Sequence, residues 1–126
     1  MKKILILVMM LLGIVIGGCE KNKYKEYSGT YNLYFMVGDL QLNDFEYYRI
    51  ILEADGDCII ESKGRGNSQN YRAEATYDIN QFQIKIYTKN GNSTITEEYL
   101  YTLGEIHMLD QTVGGVNFSA KFRRTS

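Results

Sequence analysis

Between Val116 and Arg123 apolar and polar residues trade places at every step, with Val116, Phe118, Ala120 and Phe122 set against Asn117, Ser119, Lys121 and Arg123. A period of two belongs to a β-strand, whose side chains point alternately to opposite faces. The same rhythm recurs upstream. Tyr31, Leu33, Phe35 and Val37 alternate with Thr30, Asn32, Tyr34 and Met36, and Tyr48, Ile50, Leu52 and Ala54 with Tyr47, Arg49, Ile51 and Glu53. Cys58, Ile60 and Ser62 share a face of the next segment, Tyr71, Ala73, Ala75 and Tyr77 of the one after, and Phe82, Ile84, Ile86 and Thr88 of the next. Ser93 to Thr102 carries Ile95, Glu97, Tyr99 and Tyr101 on one side, and Glu105 to Leu109 makes a short further strand. No stretch keeps an apolar period of 3.6, so a βαβ arrangement is not expected. Eight strands in series predict an all-β, antiparallel, up-and-down barrel, or a curved sheet that rolls nearly shut. An eight-stranded barrel is just wide enough to be filled by side chains or to hold one small ligand.

The connections fit that plan. Asp55-Gly56 and Asn90-Gly91 are flanked by alternating apolar residues, the strongest local signature of a tight hairpin turn. Gly38 to Glu46 is the longest interval without pattern, and the spacing of Leu40, Leu42 and Phe45 suits a short helical turn placed as a lid or plug. Gly64 to Asn70 reads as a polar hairpin tip. It lacks the Gly-Lys-Ser/Thr and following helix of a phosphate-binding loop. Asp110 to Gly115 is expected to be a loop.

The amino-terminal stretch has a different character. Lys2 and Lys3 precede an apolar run from Ile4 to Ile16, and small residues follow at Gly17 and Gly18. Such a run of roughly 13 residues falls short of the ~20 needed to span a bilayer, and its layout is that of a secretory signal helix. Ile16-Gly17-Gly18-Cys19 resembles the lipobox of bacterial lipoproteins. The resemblance implies cleavage between Gly18 and Cys19, a diacylglyceryl thioether on the Cys19 thiol, and a chain held by lipid such as palmitate on the extracytoplasmic face of the cell membrane. An ordinary secreted protein cut near Gly17 or Gly18 is the competing reading. Residues 1–18 are thus expected to be a signal peptide, 19–28 the lipidated cysteine and a flexible charged tether, and 29–126 one domain. Glu20 does not match the aspartate that retains lipoproteins at the inner membrane of two-membrane bacteria.

Charge narrows the partners. The chain has 14 Lys and Arg against 15 Asp and Glu, and without Lys2 and Lys3 its remainder is mildly acidic. A nucleic-acid partner would want a basic stripe, so none is expected. The 11 tyrosines and the absence of proline and tryptophan suit strands. With Cys19 carrying lipid, Cys58 has no partner in its own chain and is expected as a small buried apolar residue.

Gly29-Thr30-Tyr31, the eight-strand meander and the closing Phe122-Arg123-Arg124 resemble the lipocalin-like domains of small bacterial lipoproteins. In lipocalins a Gly-x-Trp on the first strand packs at the closed end beneath an arginine from the last strand. The resemblance implies that Tyr31 replaces the tryptophan and that Arg123 or Arg124 lies over it, with Tyr31 and Arg123 taken as the closing pair.

No catalytic constellation is visible, and no enzyme, cofactor or metal site is expected. Glu97 and Glu98 are neighbours on one strand, so they point to opposite faces and cannot flank one bond. Asp55 and Asp57 bracket a glycine without the further ligands of a calcium loop. His107 has no second histidine or cysteine at metal spacing. Two roles remain besides a barrel that is merely solid. A small apolar or aromatic ligand could be held by an interior lined with Tyr31, Leu33, Phe35, Ile50 and Leu52, then Tyr71, Tyr77, Ile84, Ile86, Tyr99 and Phe118. Alternatively an envelope protein could be bound or inhibited through exposed Tyr34, Tyr47, Tyr87 and Ile51, tyrosine being favoured at interfaces.

Overall fold

The computed structural model describes residues 23–67 and 69–125. Eight strands run in sequence order around a closed barrel: β1 (Gly29–Gly38), β2 (Phe45–Leu52), β3 (Asp57–Gly64), β4 (Tyr71–Ile79), β5 (Gln83–Asn90), β6 (Ser93–Thr102), β7 (Glu105–Val113) and β8 (Val116–Arg124). Every neighbouring pair is antiparallel and β8 returns to pair with β1, closing the ring, although the β4–β5 ladder stops at Thr76 and Tyr87 and the β6–β7 ladder at Leu100 and His107. The architecture expected from the two-residue rhythm is the one observed. The signal helix, the Gly18/Cys19 cleavage position and the lipidation of Cys19 lie outside the described residues.

Inward-facing side chains meet in one core. Tyr31, Ile50, Leu52, Cys58, Ile84, Ile86, Ile106, Ala120 and Phe122 have essentially no exposed surface. Burying each large aliphatic or aromatic side chain contributes about 1.5–3 kcal/mol against leaving it in water. Among the described residues, no buried side-chain nitrogen or oxygen lacks a hydrogen-bond partner.

The two ends differ. At one end residues 23–27 are helical and lie across the mouth. Tyr24 packs edge-on against Tyr77 with ring centroids 5.2 Å apart, and Tyr27 against Tyr101 at 5.0 Å. Lys23 Nζ reaches Asp78 Oδ1 at 3.2 Å. The flexible tether expected over 19–28 is therefore corrected for its described part. A single helical turn shows too little apolar periodicity in sequence, but two tyrosines on it close the barrel. The opposite, open end carries the β1–β2 loop with a short 3-10 turn at Leu42–Asp44. Leu40 from this loop and Phe45 at the start of β2 pack half-buried against the core, while Leu42 stays exposed.

Local irregularities depart from strict alternation. A bulge between Leu33 and Phe35 sets two residues of β1 against one of β8, so Met36 turns inward and Phe35 outward. A second shift between Met108 and Gln111 lets β7 continue to Val113, where a loop was expected from Asp110 onward. Asp110 sits there at φ +52°, a conformation aspartate tolerates better than most residues. The β5–β6 hairpin turns at Gly91-Asn92, one residue later than expected, because Asn90 still pairs with Ser93. Gly38 permits close contact between β1 and β8: with φ +112°, a Cβ there would lie 2.6 Å from the Asn117 carbonyl oxygen.

Candidate functional site

The closed half of the interior is packed side chain to side chain, while Ile95, Glu97 and Tyr71, on the same inner faces toward the open end, are exposed. Of the residues expected to line a ligand cavity, Tyr31, Ile50, Leu52, Tyr77, Ile84, Ile86 and Tyr99 are buried, and Leu33 and Phe118 pack half-buried against them. Side chains with 0% exposure, such as Tyr31, Ile50 and Ile84, leave no water-sized gap beside them. Two residues expected in this lining are elsewhere. Phe35 is outward because of the β1 bulge and lies under Lys121, whose Nζ is 5.0 Å from the ring centroid. Tyr71 begins β4 at the open rim and is 59% exposed, because the barrel ends there before a neighbour can cover it.

The closing contact also needs correction. The guanidinium carbon of Arg124, not Arg123, lies over Tyr31, 5.9 Å from the ring centroid, since Arg124 is the register partner of Tyr31. Arg124 Nη1 also donates to the Glu26 carbonyl at 2.8 Å, tying β8 to the helical turn. Beneath it the Tyr31 hydroxyl donates to the Tyr27 carbonyl at 2.6 Å and lies 2.9 Å from the Tyr101 hydroxyl. A hydroxyl has one proton, so Tyr101 donates to Tyr31, which donates onward. Burial pushes the Tyr31 hydroxyl well above its ordinary range, and the same holds for Tyr77, which donates to the Glu53 carbonyl at 2.7 Å.

Toward the open end the inner wall becomes polar. Glu97 accepts a hydrogen bond from the Tyr99 hydroxyl, and burial raises its carboxyl above the ordinary value. Tyr48 is pushed up to about 12, chiefly by burial and further by Glu97. Glu98 points the other way, toward Gln83 and Lys85 on the outer wall, so the two carboxylates do stand on opposite faces.

Outward-facing aromatic rings are covered by cations. Arg123 lies 4.1 Å from the centroid of Tyr34, and Arg49 lies 4.3 Å from that of Tyr47. Alternation had made these tyrosines exposed, but it carried no sign of their cation covers. Tyr34 also donates to Glu105, whose carboxylate receives His107 Nε2 at 2.8 Å and Arg123 Nε at 3.4 Å. Tyr34, then His107, hold the Glu105 carboxyl down to about 2. Glu105 and His107 share a strand face, whereas the contacts from Arg123, the register partner of Glu105 on β8, and from Tyr34 on β1 required the fold.

A cavity of about 610 Å³ is an open groove on the outer wall of β3, β4 and β5. Ile59, Thr76 and Tyr87 lie in it, with Glu53 and Asp57 also among its walls, together with Arg72, Glu74 and Lys89. Smaller hollows of about 370 and 360 Å³ adjoin Val37 and Gly38 at the open rim. Glu53, Asp55 and Asp57 bring carboxylate oxygens within 4.8 Å of one another at the β2–β3 turn, a grouping that adds Glu53 to the two aspartates visible in sequence. Cys58 is buried as expected, and burial pushes its thiol up to about 12, so it stays protonated and unreactive at neutral pH. No family model, curated protein or solved structure matches the chain.

Proposed function

We propose that this protein is a lipid-anchored lipoprotein of the extracytoplasmic membrane face, with a lipocalin-like barrel acting as a non-catalytic binding module. Its partner is a protein segment taken on the outer wall, not a small molecule held inside. The observation that carries the choice is the filled closed half of the interior, where Tyr31, Ile50, Ile84 and Phe122 are fully buried in one core cluster. A ligand of even a few atoms would have to displace side chains packed at interior density. The outer groove offers what the interior lacks: open volume, the apolar surfaces of Ile59 and Tyr87, and charged groups of both signs. The lipid anchor rests on Ile16-Gly17-Gly18-Cys19.

A photo-crosslinking residue placed at Tyr87 in the full chain, in its native envelope, tests this reading. One discrete adduct at Tyr87, absent when the crosslinker is at Lys121 on β8 and lost when Ile59→Lys is added, is the expected result. The same adducts from both positions would overturn it. So would a small apolar molecule found at one copy per chain by native mass spectrometry of the purified protein.

A further inference from the structure

We infer that the closed end of the barrel is a membrane-contact surface, with Leu103 and Phe82 entering the bilayer interface. The inference rests on the lipid-anchor reading and adds to it an orientation and a set of contact residues.

Reach comes first. Because residues 23–27 are packed on the barrel, the slack available to a lipid on Cys19 is only the stretch from Cys19 to Lys23. At ~3.3–3.6 Å per step the four Cα–Cα steps from Cys19 to Lys23 reach at most about 14 Å. Lys23 is fixed at the closed end by Asp78, so that end faces the headgroups at close range.

The surface presented there has two apolar tips. Leu103 is 98% exposed and Phe82 is 66% exposed. They occupy neighbouring turns: the Phe82 carbonyl accepts from the Tyr101 backbone N–H at 2.8 Å, two residues before Leu103. Leu103 is unfavourable in water on two counts. Its side chain is almost wholly in solvent, and at φ +47° it holds a left-handed conformation in which its Cβ crowds the following carbonyl, one that suits glycine or asparagine. Entry into the interface removes the first of these costs. A Leu tip and an aromatic ring at headgroup depth are the side chains such a boundary takes.

Charge argues for apolar insertion over an electrostatic grip. The same end carries Glu53, Asp55 and Asp57 at the β2–β3 turn; the Lys23 ammonium is paired with Asp78 and Arg124 donates to the Glu26 carbonyl, which among the described residues leaves Lys25 as an exposed cation facing several carboxylates. The occupant is accordingly a bilayer surface bound without need of anionic lipid.

The chain contains no tryptophan, so a single one reports its own position. The full lipidated protein carrying Leu103→Trp, Phe82→Trp or, at the opposite end, Val113→Trp is reconstituted in phosphatidylcholine vesicles with brominated acyl chains. Val113 is exposed and adjoins the Gly114-Gly115 turn, so it serves as the distant control. The expected result is blue-shifted emission and at least several-fold stronger quenching at 103 and 82 than at 113, with little change when phosphatidylglycerol is added. Protein that floats with the vesicles but is quenched equally weakly at all three positions overturns the orientation and leaves the anchor standing. So does quenching that appears only with anionic lipid. Protein that does not float, with no acyl mass on Cys19, removes the anchor and the orientation together.

Discussion

The hydroxyls of Tyr31 and Tyr101 meet 2.9 Å apart at the closed end, joining β1 to β6 across the barrel, and the chain of donors runs on to the Tyr27 carbonyl. Removing the middle member strands the other two. Tyr31→Phe leaves the Tyr101 proton and the Tyr27 carbonyl without their partner and should destabilise the domain by about 1–3 kcal/mol. Tyr101→Phe removes only the outer donor and should cost less. Urea denaturation of the two variants and the double variant measures both costs and, from the non-additivity, the coupling.

Glu105 should govern the acid limb of stability. Tyr34 and His107 hold its carboxyl down to about 2 in the fold, against an ordinary value of 4.5. A depressed carboxyl contributes stability that is present above the ordinary value and is lost as pH falls toward the folded one. Urea midpoints should therefore fall between pH 4.5 and 2, and Glu105→Gln should flatten that slope.

Glu97 works in the opposite direction. Burial raises its carboxyl in the fold, so ionisation favours the unfolded chain, and stability is lost as pH rises from 4.5 through the raised value. Glu97→Gln keeps an acceptor for Tyr99 and removes the charge. It should be more stable than the natural chain at neutral pH and indistinguishable from it near pH 4, as read from urea midpoints.

The opposite behaviour of two glutamates on neighbouring strands marks the limit of what the sequence carries. Period-two alternation made the strands, the closed barrel, the burial of Cys58 and the opposed faces of Glu97 and Glu98 legible. It failed where one residue shifts the phase: the bulge after Leu33 turns Phe35 outward, and Asp110 lets β7 run past an expected loop. A bulge is set by how two strands pair, and no local composition announces it. Residues 23–27 look like tether in sequence because one helical turn is too short to show a period, yet Tyr24 and Tyr27 pack over the closed end. The Tyr34, Glu105, His107 and Arg123 cluster needs β1, β7 and β8 side by side, which register supplies and spacing in sequence does not.

Leu103 should trade stability for contact. At φ +47° a leucine carries a backbone cost of about 1–2 kcal/mol that glycine escapes. Leu103→Gly should therefore raise the stability of the domain by up to about 1 kcal/mol, measured by urea denaturation, its added freedom in the unfolded chain taking back part of the gain. An unchanged or lower stability would mean that the turn is not strained.

Cys58 should be silent in the fold. Its thiol is buried and held protonated, so a thiol reagent at pH 8 should leave it unlabelled until urea unfolds the barrel. Labelling without denaturant at a rate like that of a free thiol would contradict the packed interior.

The proposed lipid anchor at Cys19 is tested most directly by intact-mass spectrometry of the protein from its native membrane. The expected chain begins at Cys19 and carries the added mass of a diacylglyceryl group. A chain that retains Met1, or that begins at Cys19 with an unmodified thiol, would contradict it.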